Sequence, residues 1–428
     1  MPPQLDPEIY TVAWIAPLEI EARAALHMMD CLHPDRFPMG RGDDYVFRAG
    51  ECGGHNTVIA TLPAGQEYGT GSAAALASQV KKFFPNLWFG LLVGVAAGLP
   101  NLTRDPPRDI RLGDVLVALP DGESAGLVAY DLGKETAESG FQLLRHGQVL
   151  ATTETVIRSA IGNIKLDAPD DATYCLEFYE TIKTKEHGAP TFDDPGQEHD
   201  KLYTTGEDGG EKLVERELRP ISQRIRVWYG RIGSGEKLMK DARKRDQLRD
   251  AYDLIGLEME AAGTMNRIPV GVIRGVCDYG DLHKNKRWQP YAAAMAAAYA
   301  KVVLGAIPPK ASSASIPTAP SPVASPPHAV FHGPITGKKP LPVTVAKTPF
   351  ASTWREPATE PNGQHCQAWQ LPIPTPPTQP IHLDKKPVHV HHRGTIPMIT
   401  PPLGGRPVQP PTEPLPGLAP PPPPPPGE

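Results

Sequence analysis

The sequence is poor in the features that mark secreted, membrane-spanning or nucleic-acid-binding proteins. Its 428 residues include only 5 cysteines, scattered at 31, 52, 175, 277 and 366 without a CxxC pair. This scatter excludes a disulfide framework and favours reduced thiols in an intracellular protein. No apolar run reaches the roughly 18 residues needed to cross a bilayer. The start MPPQLDPEIY lacks the basic residues and apolar core of a signal peptide, so we expect a cytoplasmic location, with the nucleus as an alternative.

Strong charge of one sign is also missing. The formal net charge of −5 gives no electrostatic reason to expect nucleic acid or an anionic membrane as a partner. We identify no metal constellation and predict no cofactor, because the histidine-rich HVHH at 389–392 lies in a segment that we do not expect to fold.

That segment is set apart by proline. Most of the 52 prolines lie at or beyond Pro308, and the chain closes with APPPPPPPGE. This segment has few large apolar residues and buries too little surface to offset the entropy lost on ordering. We therefore predict a disordered tail over 306–428. Stretches such as LPIPTPPTQP favour polyproline II, which SH3-, WW- and profilin-type partners bind. A solvated spacer is the simpler alternative.

The first part of the chain alternates short apolar runs with segments of helical spacing. Several runs, such as YTVAWIAP and LWFGLLVGVAAGLP, are continuously hydrophobic, as in strands buried on both faces. The pattern predicts an α/β fold over 8–305, a three-layer α/β/α sandwich with a mixed central sheet. A polar, turn-rich stretch at about 180–222 is predicted to be a surface insertion. Ligands of such folds lie at the carboxyl ends of the strands.

Several predicted strand ends carry residues suited to chemistry. The first strand runs into APLEIEA, which places Glu19 and Glu21 at the start of a helix, and the strand at 270–276 ends in Cys277 and Asp278. Other candidates lie on two further elements: Ala96, Ala97 and Gly98, whose small size lets a ligand approach the backbone, and Glu258, Met259 and Glu260. A carboxylate accepts two hydrogen bonds from vicinal hydroxyls, so one of these glutamates facing a sugar diol is chemically sensible.

Each candidate also has a plainer interpretation. Glu19 and Glu21 suit a helix N-terminus, where the dipole favours acids. GVAAGLP is compatible with a tight turn after a strand, and Asp278 with capping of the turn that follows it. Glu258 or Glu260 is equally suited to pairing with a nearby arginine. The residues alone therefore leave the chemistry open.

Taken together and in order, six blocks resemble the nucleoside phosphorylase superfamily, especially the phosphorylase-like domains of filamentous fungi. They are YTVAWIAPLEIEA, LVGVAAGLP, RLGDVLVA, YGRIGSGEKLMKDARKRD, GLEMEAAGTMN and VIRGVCDYGDLHKNKRWQPYAAAMAAAYA. The resemblance covers about residues 8–305, and its last two blocks are long and specific. It implies an enzyme that cleaves the N-glycosidic bond of nucleosides, with phosphate as nucleophile in one branch and water in the methylthioadenosine/adenosylhomocysteine nucleosidases.

The resemblance also implies roles for individual residues. Asp278 matches the acid that protonates or hydrogen-bonds N7 of the purine, and Glu21 the nucleosidase glutamate that holds the attacking water. Glu260 matches the residue that grips the ribose hydroxyls. The remaining matches are Met259 under the sugar, Leu238 and Met239 along the base, and Arg274 near the nucleophile.

The loop APLEIEA lacks the Gly-Asp-Pro and arginine character with which phosphorylases hold phosphate, and a carboxylate such as Glu21 repels phosphate. Hydrolysis is therefore favoured. The sequence departs from the nucleosidase pattern at Val95 and Cys277, where serines are usual, and a thiol is the weaker hydrogen-bond donor. Lys237, Lys240 and Arg243 are candidates for contact with a 5′-phosphate, with a solvated helix face as the alternative.

Three hypotheses remain open. The first is a nucleosidase acting on a purine nucleoside or adenine nucleotide, the second a phosphate-dependent phosphorylase, and the third a catalytically silent nucleoside-binding module whose tail recruits a partner. A pure binder has no need of a base-protonating acid, so Asp278, Glu260 and Glu21 together favour an enzyme. The resemblance also implies a homo-oligomer.

Overall fold

A computed structural model describes residues 4–65, 67–120, 125–137, 140–143, 152–168, 172–185, 190–206 and 210–310. The chain divides into two units, Met1–Ala368 and Trp369–Glu428, and the second lies wholly outside the described residues. The proline-rich segment beyond residue 310 also lies outside them, so its predicted disorder stays a prediction.

The described residues form strands and helices that largely follow the predicted order. The strands are β1 (Val12–Ile15), β2 (Cys31–His33), β3 (Arg48–Cys52), β4 (His55–Ala60), β5 (Phe89–Gly98), β6 (Val115–Ala118), β7 (Leu127–Ala129), β8 (Gly133–Thr136), β9 (Gly140–Leu143), β10 (Leu202–Thr205), β11 (Glu211–Val214), β12 (Val227–Ser234), β13 (Leu254–Glu258) and β14 (Val270–Asp278). The helices are α1 (Glu19–Met28), α2 (Thr70–Phe83), α3 (Thr155–Ile164), α4 (Thr173–Lys185), α5 (Ala242–Tyr252), α6 (Ala261–Met265) and α7 (Trp288–Gly305).

One ten-stranded mixed sheet organises the fold, with strand order β13-β12-β6-β14-β5-β1-β4-β3-β2 and β7 beside β12. The pairs β1–β4, β1–β5 and β14–β5 are parallel, whereas β14–β6 and β3–β4 are antiparallel. β1 and β14 are buried almost throughout, as expected for strands covered on both faces by helices. The predicted α/β fold with a mixed central sheet is confirmed.

The end of β5 also pairs with β13, through Gly98 opposite Gly256 and Ala97 opposite Leu257. The strands β5, β14, β6, β12 and β13 therefore close into a ring. A Cβ on Gly256 would overlap the Leu116 side chain and lie 3.0 Å from the Ala97 carbonyl oxygen, so glycine permits this closure. Ring closure brings the carboxyl ends of β5, β13 and β14 together.

Two local features agree with the sequence. The β3–β4 hairpin turns at Gly53 and Gly54, whose φ angles of 59° and 79° suit glycine at a tight turn. Helix α7 lies close to β14 because its inner face is alanine-rich, and a Cβ on Gly275 would overlap the Ala292 backbone. These small residues bring the helix axis close to the sheet.

The stretch predicted as a surface insertion is more integrated than expected. Helix α4 continues to Lys185, across the predicted start of the insertion. Farther on, Phe192 and Leu202 join the hydrophobic core. Arg219 forms an ion pair with the fully buried Asp114 at 2.7 Å, and Arg224 pairs with Asp194 at 2.9 Å.

Among the described residues, no helix combines the length and apolar character required to span a membrane. The predicted cytoplasmic location stays a prediction.

Candidate active site

A cavity of about 590 Å³ opens where β5, β13 and β14 end. Most of the predicted site residues line it: Glu21, Ala96, Ala97, Leu238, Met239, Glu258, Met259, Glu260, Cys277 and Asp278. The other lining residues include Leu18, Tyr68, Val95, Tyr130, Lys237, Lys240, Leu257, Asp281, Leu282, Lys284, Asn285, Lys286 and Gln289. Elements far apart in sequence thus converge on one cavity, as expected at the carboxyl edge of such a sheet.

Glu21 lies in the first turn of α1 but is not an ordinary solvent-exposed N-terminal acid. Its side chain is directed inward and the residue is only 4% exposed. Oε2 accepts the Leu18 N–H and Oε1 the Val95 N–H, both at 2.8 Å. Burial raises the pKa of Glu21 to about 7; Arg274 opposes the rise and Glu260 adds to it. A carboxyl group with such a pKa changes its protonation near neutral pH.

Arg274 lies beneath the cavity and is 0% exposed. Its guanidinium pairs closely with Glu258, lies 3.2 Å from Glu260 and 4.0 Å from Glu21. One positive charge therefore faces three buried carboxyl groups. Burial raises the pKa of Glu260 as well, with Arg274 opposing and Glu258 reinforcing the rise. Arg274 was predicted near the nucleophile, but it is not among the residues lining the cavity.

The two glutamates flanking Met259 have different surroundings. Glu258 accepts the backbone N–H groups of Glu260 and Ala261, and its side chain is 0% exposed. Glu260 is bound by Arg274 at 3.2 Å and receives only a long bond of 3.5 Å from the Gly69 N–H. Glu260 therefore retains acceptor capacity toward the cavity, whereas Glu258 serves the N-terminus of α6. The plainer interpretation, pairing with an arginine, is correct for both.

Asp278 ends β14 and is held by three donors. Its Oδ1 accepts the Gly280 N–H at 2.8 Å, which is the turn-capping contact considered from sequence. Its Oδ2 accepts from Lys284 Nζ at 3.1 Å and from Cys277 Sγ at 3.4 Å. Burial and the neighbouring Asp278 charge raise the pKa of the Cys277 thiol well above its usual range, so it remains a neutral donor.

Gly98 does not line the cavity. Its pairing with Gly256 places it in the ring of strands, and a Cβ there would meet Val276 and Ile110 side chains. Ala96 and Ala97 do line the cavity, and the approach of a ligand to them stays a prediction. Among the predicted phosphate contacts, Lys237 and Lys240 line it, but Arg243 does not.

Sequence reasoning assigned no role to Asp281 or Lys284. Asp281 is 2% exposed; its Oδ1 accepts the His283 N–H, and its Oδ2 has no hydrogen-bond partner among the described residues. The nearest positive charge is Arg245, 3.9 Å from Oδ2. A signal was present, since both residues lie within six positions of Asp278, on the loop that leaves its strand.

The arrangement has the parts that acid–base cleavage needs. Glu21 and Asp278 line the same cavity, and Glu260, the residue directly before α6, is a third acidic group there. Glu21 is suited to accepting a proton near neutral pH, whereas Asp278 has an ammonium group beside it. Groups of such different character at one cavity are typical of paired acid and base roles.

No family model matches the chain. A Nucleotide-binding leucine-rich repeat (NLR)-like protein of Hyaloscypha variabilis is 39% identical over 317 residues, which are 72% of this chain. The match spans only 30% of that longer protein.

Similar solved structures include a futalosine hydrolase of Helicobacter pylori (15% identity, TM-score 0.43, 69% of this chain and 97% of that chain). A 5′-methylthioadenosine/S-adenosylhomocysteine nucleosidase of Neisseria meningitidis shows 18% identity and TM-score 0.43, over 69% of this chain and 98% of its own. The corresponding nucleosidase of S. pneumoniae shows 14% identity and TM-score 0.44, over 70% of this chain and 100% of its own.

Proposed function

We propose that this protein cleaves the N-glycosidic bond of a purine nucleoside or nucleotide, with water as the nucleophile. The observation that carries the proposal is the convergence of Glu21, Glu260 and Asp278 on one cavity. Each has a task in the reaction, and each task follows from its surroundings.

Asp278 acts on the leaving base. As the bond between C1′ and N9 breaks, its electron pair moves into the purine. The protonated Asp278 carboxyl donates its proton to N7 and becomes a carboxylate, which neutralises the charge that develops on the base. Lys284, 3.1 Å from Asp278, places a positive charge beside this position. The sugar becomes oxocarbenium-like, while Glu260 accepts hydrogen bonds from its hydroxyls and Met259 packs against it.

Glu21 acts on the water. It accepts a proton as the water oxygen bonds to C1′, so the reaction yields free base and ribose. Its two oxygens are held by the Leu18 and Val95 N–H groups, which orient it without neutralising it. Val95 offers no side-chain hydroxyl at this position, so Glu21 orients the water without that second group.

Phosphate fits the part of the site next to Arg274 less well than water does. Arg274, the predicted contact near the nucleophile, is buried and engaged by Glu258 and Glu260. A phosphate beside Arg274 would face the carboxyl groups of Glu21, Glu258 and Glu260, which one guanidinium already has to balance. A nucleotide is a different matter, since its phosphates extend away from C1′, and Lys237, Lys240 and Lys286 line the cavity. These lysines favour an anionic 5′ group.

The test is product analysis with the full-length chain. Adenosine, inosine, AMP and ATP are incubated with the protein, with and without phosphate, and free base and sugar products are separated by chromatography. Without added phosphate we expect free base and a sugar that carries a hydroxyl group, not a phosphate, at C1′. Asp278→Asn should lose turnover by about 10²–10⁴-fold while still binding ligand, and Asp250→Asn, on the exposed side of α5, serves as the control.

Each other outcome identifies an alternative. Release of base only with phosphate, together with ribose 1-phosphate, would make the protein a phosphorylase. No base from any substrate would favour the silent binding module. If the lysines bind 5′-phosphates, Lys240→Glu should raise KM for AMP or ATP and leave KM for adenosine unchanged.

We also retain three expectations as proposals. They are a cytoplasmic location, a homo-oligomeric state, and an SH3-, WW- or profilin-type partner for the proline-rich segment.

A further inference from the structure

The loop that carries Asp278 is held from outside the sheet by another part of the chain. We call residues 278–286 the Asp278 loop and residues 190–219 the arm, of which 207–209 lie outside the described residues. The arm contains the β10–β11 hairpin. It contacts the Asp278 loop at two places, one on each side of Asp281.

The first contact is a buried polar network at Tyr279, directly after Asp278. The Tyr279 hydroxyl donates to Asp200 Oδ1 at 2.6 Å. Arg216 Nη2 donates to the same hydroxyl at 3.0 Å and to Asp200 Oδ1 at 2.9 Å. All three side chains are nearly fully buried, so the hydrogen bonds among them cannot be replaced readily by water.

The second contact lies at His283. Its ring stacks on Tyr203 of β10, with centroids 3.8 Å apart and planes inclined by 18°. Its Nε2 lies 2.8 Å from Oε2 of Glu211 on β11. Both strands of the hairpin therefore hold one loop residue.

The arm is itself fixed to the sheet. Arg219 pairs at 2.7 Å with Asp114, which precedes β6, and Arg216 pairs at 3.2 Å with Asp109. Asp114 also accepts the Trp228 indole N–H at 2.8 Å, which joins it to β12. Because the arm is bonded to the sheet in this way, it opposes displacement of the Asp278 loop.

Within the loop, the held residues determine where the acidic groups lie. The Gly280 N–H binds Asp278 and the His283 N–H binds Asp281, at 2.8 and 2.9 Å. Lys284, next to His283, returns to Asp278 at 3.1 Å. Fixing Tyr279 and His283 therefore fixes both members of the Asp278–Lys284 pair.

We propose that the arm is a positioning element for the reaction: through Tyr279 and His283 it holds Asp278 and Lys284 in the geometry that the leaving base requires. Asp200, Arg216, Tyr203 and Glu211 are positioning residues and act only through the loop. This inference rests on the proposed N-glycosidic cleavage, but its structural part is testable without it.

The kinetic test compares Tyr279→Phe with Tyr10→Phe. Each change removes one buried tyrosine hydroxyl, but Tyr10 bonds His33, and neither of these two residues lines the cavity. We expect Tyr279→Phe to lower kcat by about 10-fold, because small displacements of a catalytic group cost this much or more, with KM within about 2-fold. Tyr10→Phe should leave both constants unchanged.

A double substitution separates positioning from general damage. If Tyr279 acts through Asp278, then Tyr279→Phe should lower kcat no further in an Asp278→Asn background. Independent, multiplicative losses would overturn the proposal. So would equal effects of Tyr279→Phe and Tyr10→Phe in the otherwise unchanged protein.

Hydrogen exchange of the Gly280 and His283 amides tests the structural part even if no substrate turns over. Removing the hold of the arm should speed exchange at these two amides by about 10-fold or more in Tyr279→Phe, and leave it unchanged in Tyr10→Phe. Glu211→Gln is a second variant, and because Glu211 is half-exposed, this change is less disruptive to folding than Tyr279→Phe. Unchanged exchange in both variants would refute the arm's role, whereas absent turnover with faster exchange would refute only the proposed reaction.

Discussion

The Glu21 carboxylate lies 4.0 Å from the Arg274 guanidinium, at a distance where attraction persists without a hydrogen bond. Arg274 is already engaged by Glu258 and Glu260, so it neutralises Glu21 only in part. This incomplete compensation is why burial prevails and raises the pKa of Glu21 to about 7. We make three predictions from the charges of Arg274 and its three glutamates and from the limited space around them.

The first concerns the pH dependence of turnover. Glu21 must be unprotonated to accept a proton from water, so kcat/KM should rise with pH through an apparent pKa of about 7. Glu21→Gln should lower kcat/KM by about 10²–10⁴-fold and abolish this rise. Initial rates between pH 5.5 and 8.5 provide the check, and persistence of the rise in Glu21→Gln would assign it to another group.

The second concerns Arg274→Leu, which leaves three buried carboxyl groups without a counterion. Removing one partner of a buried ionic cluster typically costs about 3–5 kcal/mol of unfolding free energy. Because protonation relieves the repulsion, the loss should be smaller at pH 5 than at pH 8.

Thermal or urea unfolding of the wild type and Arg274→Leu at both pH values measures this. Arg104→Leu is a suitable control, because Arg104 forms a half-exposed ion pair with Asp253 at 3.1 Å, and such pairs contribute about 1 kcal/mol or less. Equal losses from the two changes would show that Arg274 is not the required counterion.

The third concerns Gly94, which lies opposite Arg274 in the β5–β14 register. A Cβ at Gly94 would overlap both the Glu21 carboxylate and the Arg274 guanidinium. Gly94→Ala should therefore displace these groups, lower the free energy of unfolding by about 1–3 kcal/mol and reduce turnover.

Gly162→Ala is the matched control, since a Cβ there meets nothing within 4 Å and the residue lies in helix α3. That change should stabilise the protein by about 0.5–1 kcal/mol. Circular dichroism melting curves and turnover are measured for both variants. If Gly94→Ala changes neither stability nor turnover, the side chains around Glu21 can adapt to the added methyl group.

The sequence predicted the sheet and the main site residues because both follow from local patterns. Continuous apolar runs indicated strands such as β1 and β14, and residues at their carboxyl ends meet by the geometry of the sheet. Glu21 and Asp278 could therefore be predicted at one cavity, although they lie 257 positions apart along the printed sequence.

Other features depend on long-range pairing that leaves no periodic pattern. Arg274 was predicted near the nucleophile, but nothing local shows that three glutamates converge on it. The bond between Asp200 and Tyr279 joins positions 79 apart, and one partner lies in a polar stretch with no strand-like pattern. For the same reason the contribution of the predicted insertion to the folded core was missed, and the boundary predicted at about 180 divides α4.

The close approach of helix α7 to β14 has a mechanical consequence. At Gly275 a Cβ would strike the Ala292 backbone, so the strand and the helix touch main chain to main chain, with no long side chain between them to change rotamer. Asp278 lies three residues farther along that strand. The sheet side of the cavity is therefore rigid. Substrate entry is accommodated instead by side chains at the rim, such as Leu238 and Leu282, which are exposed.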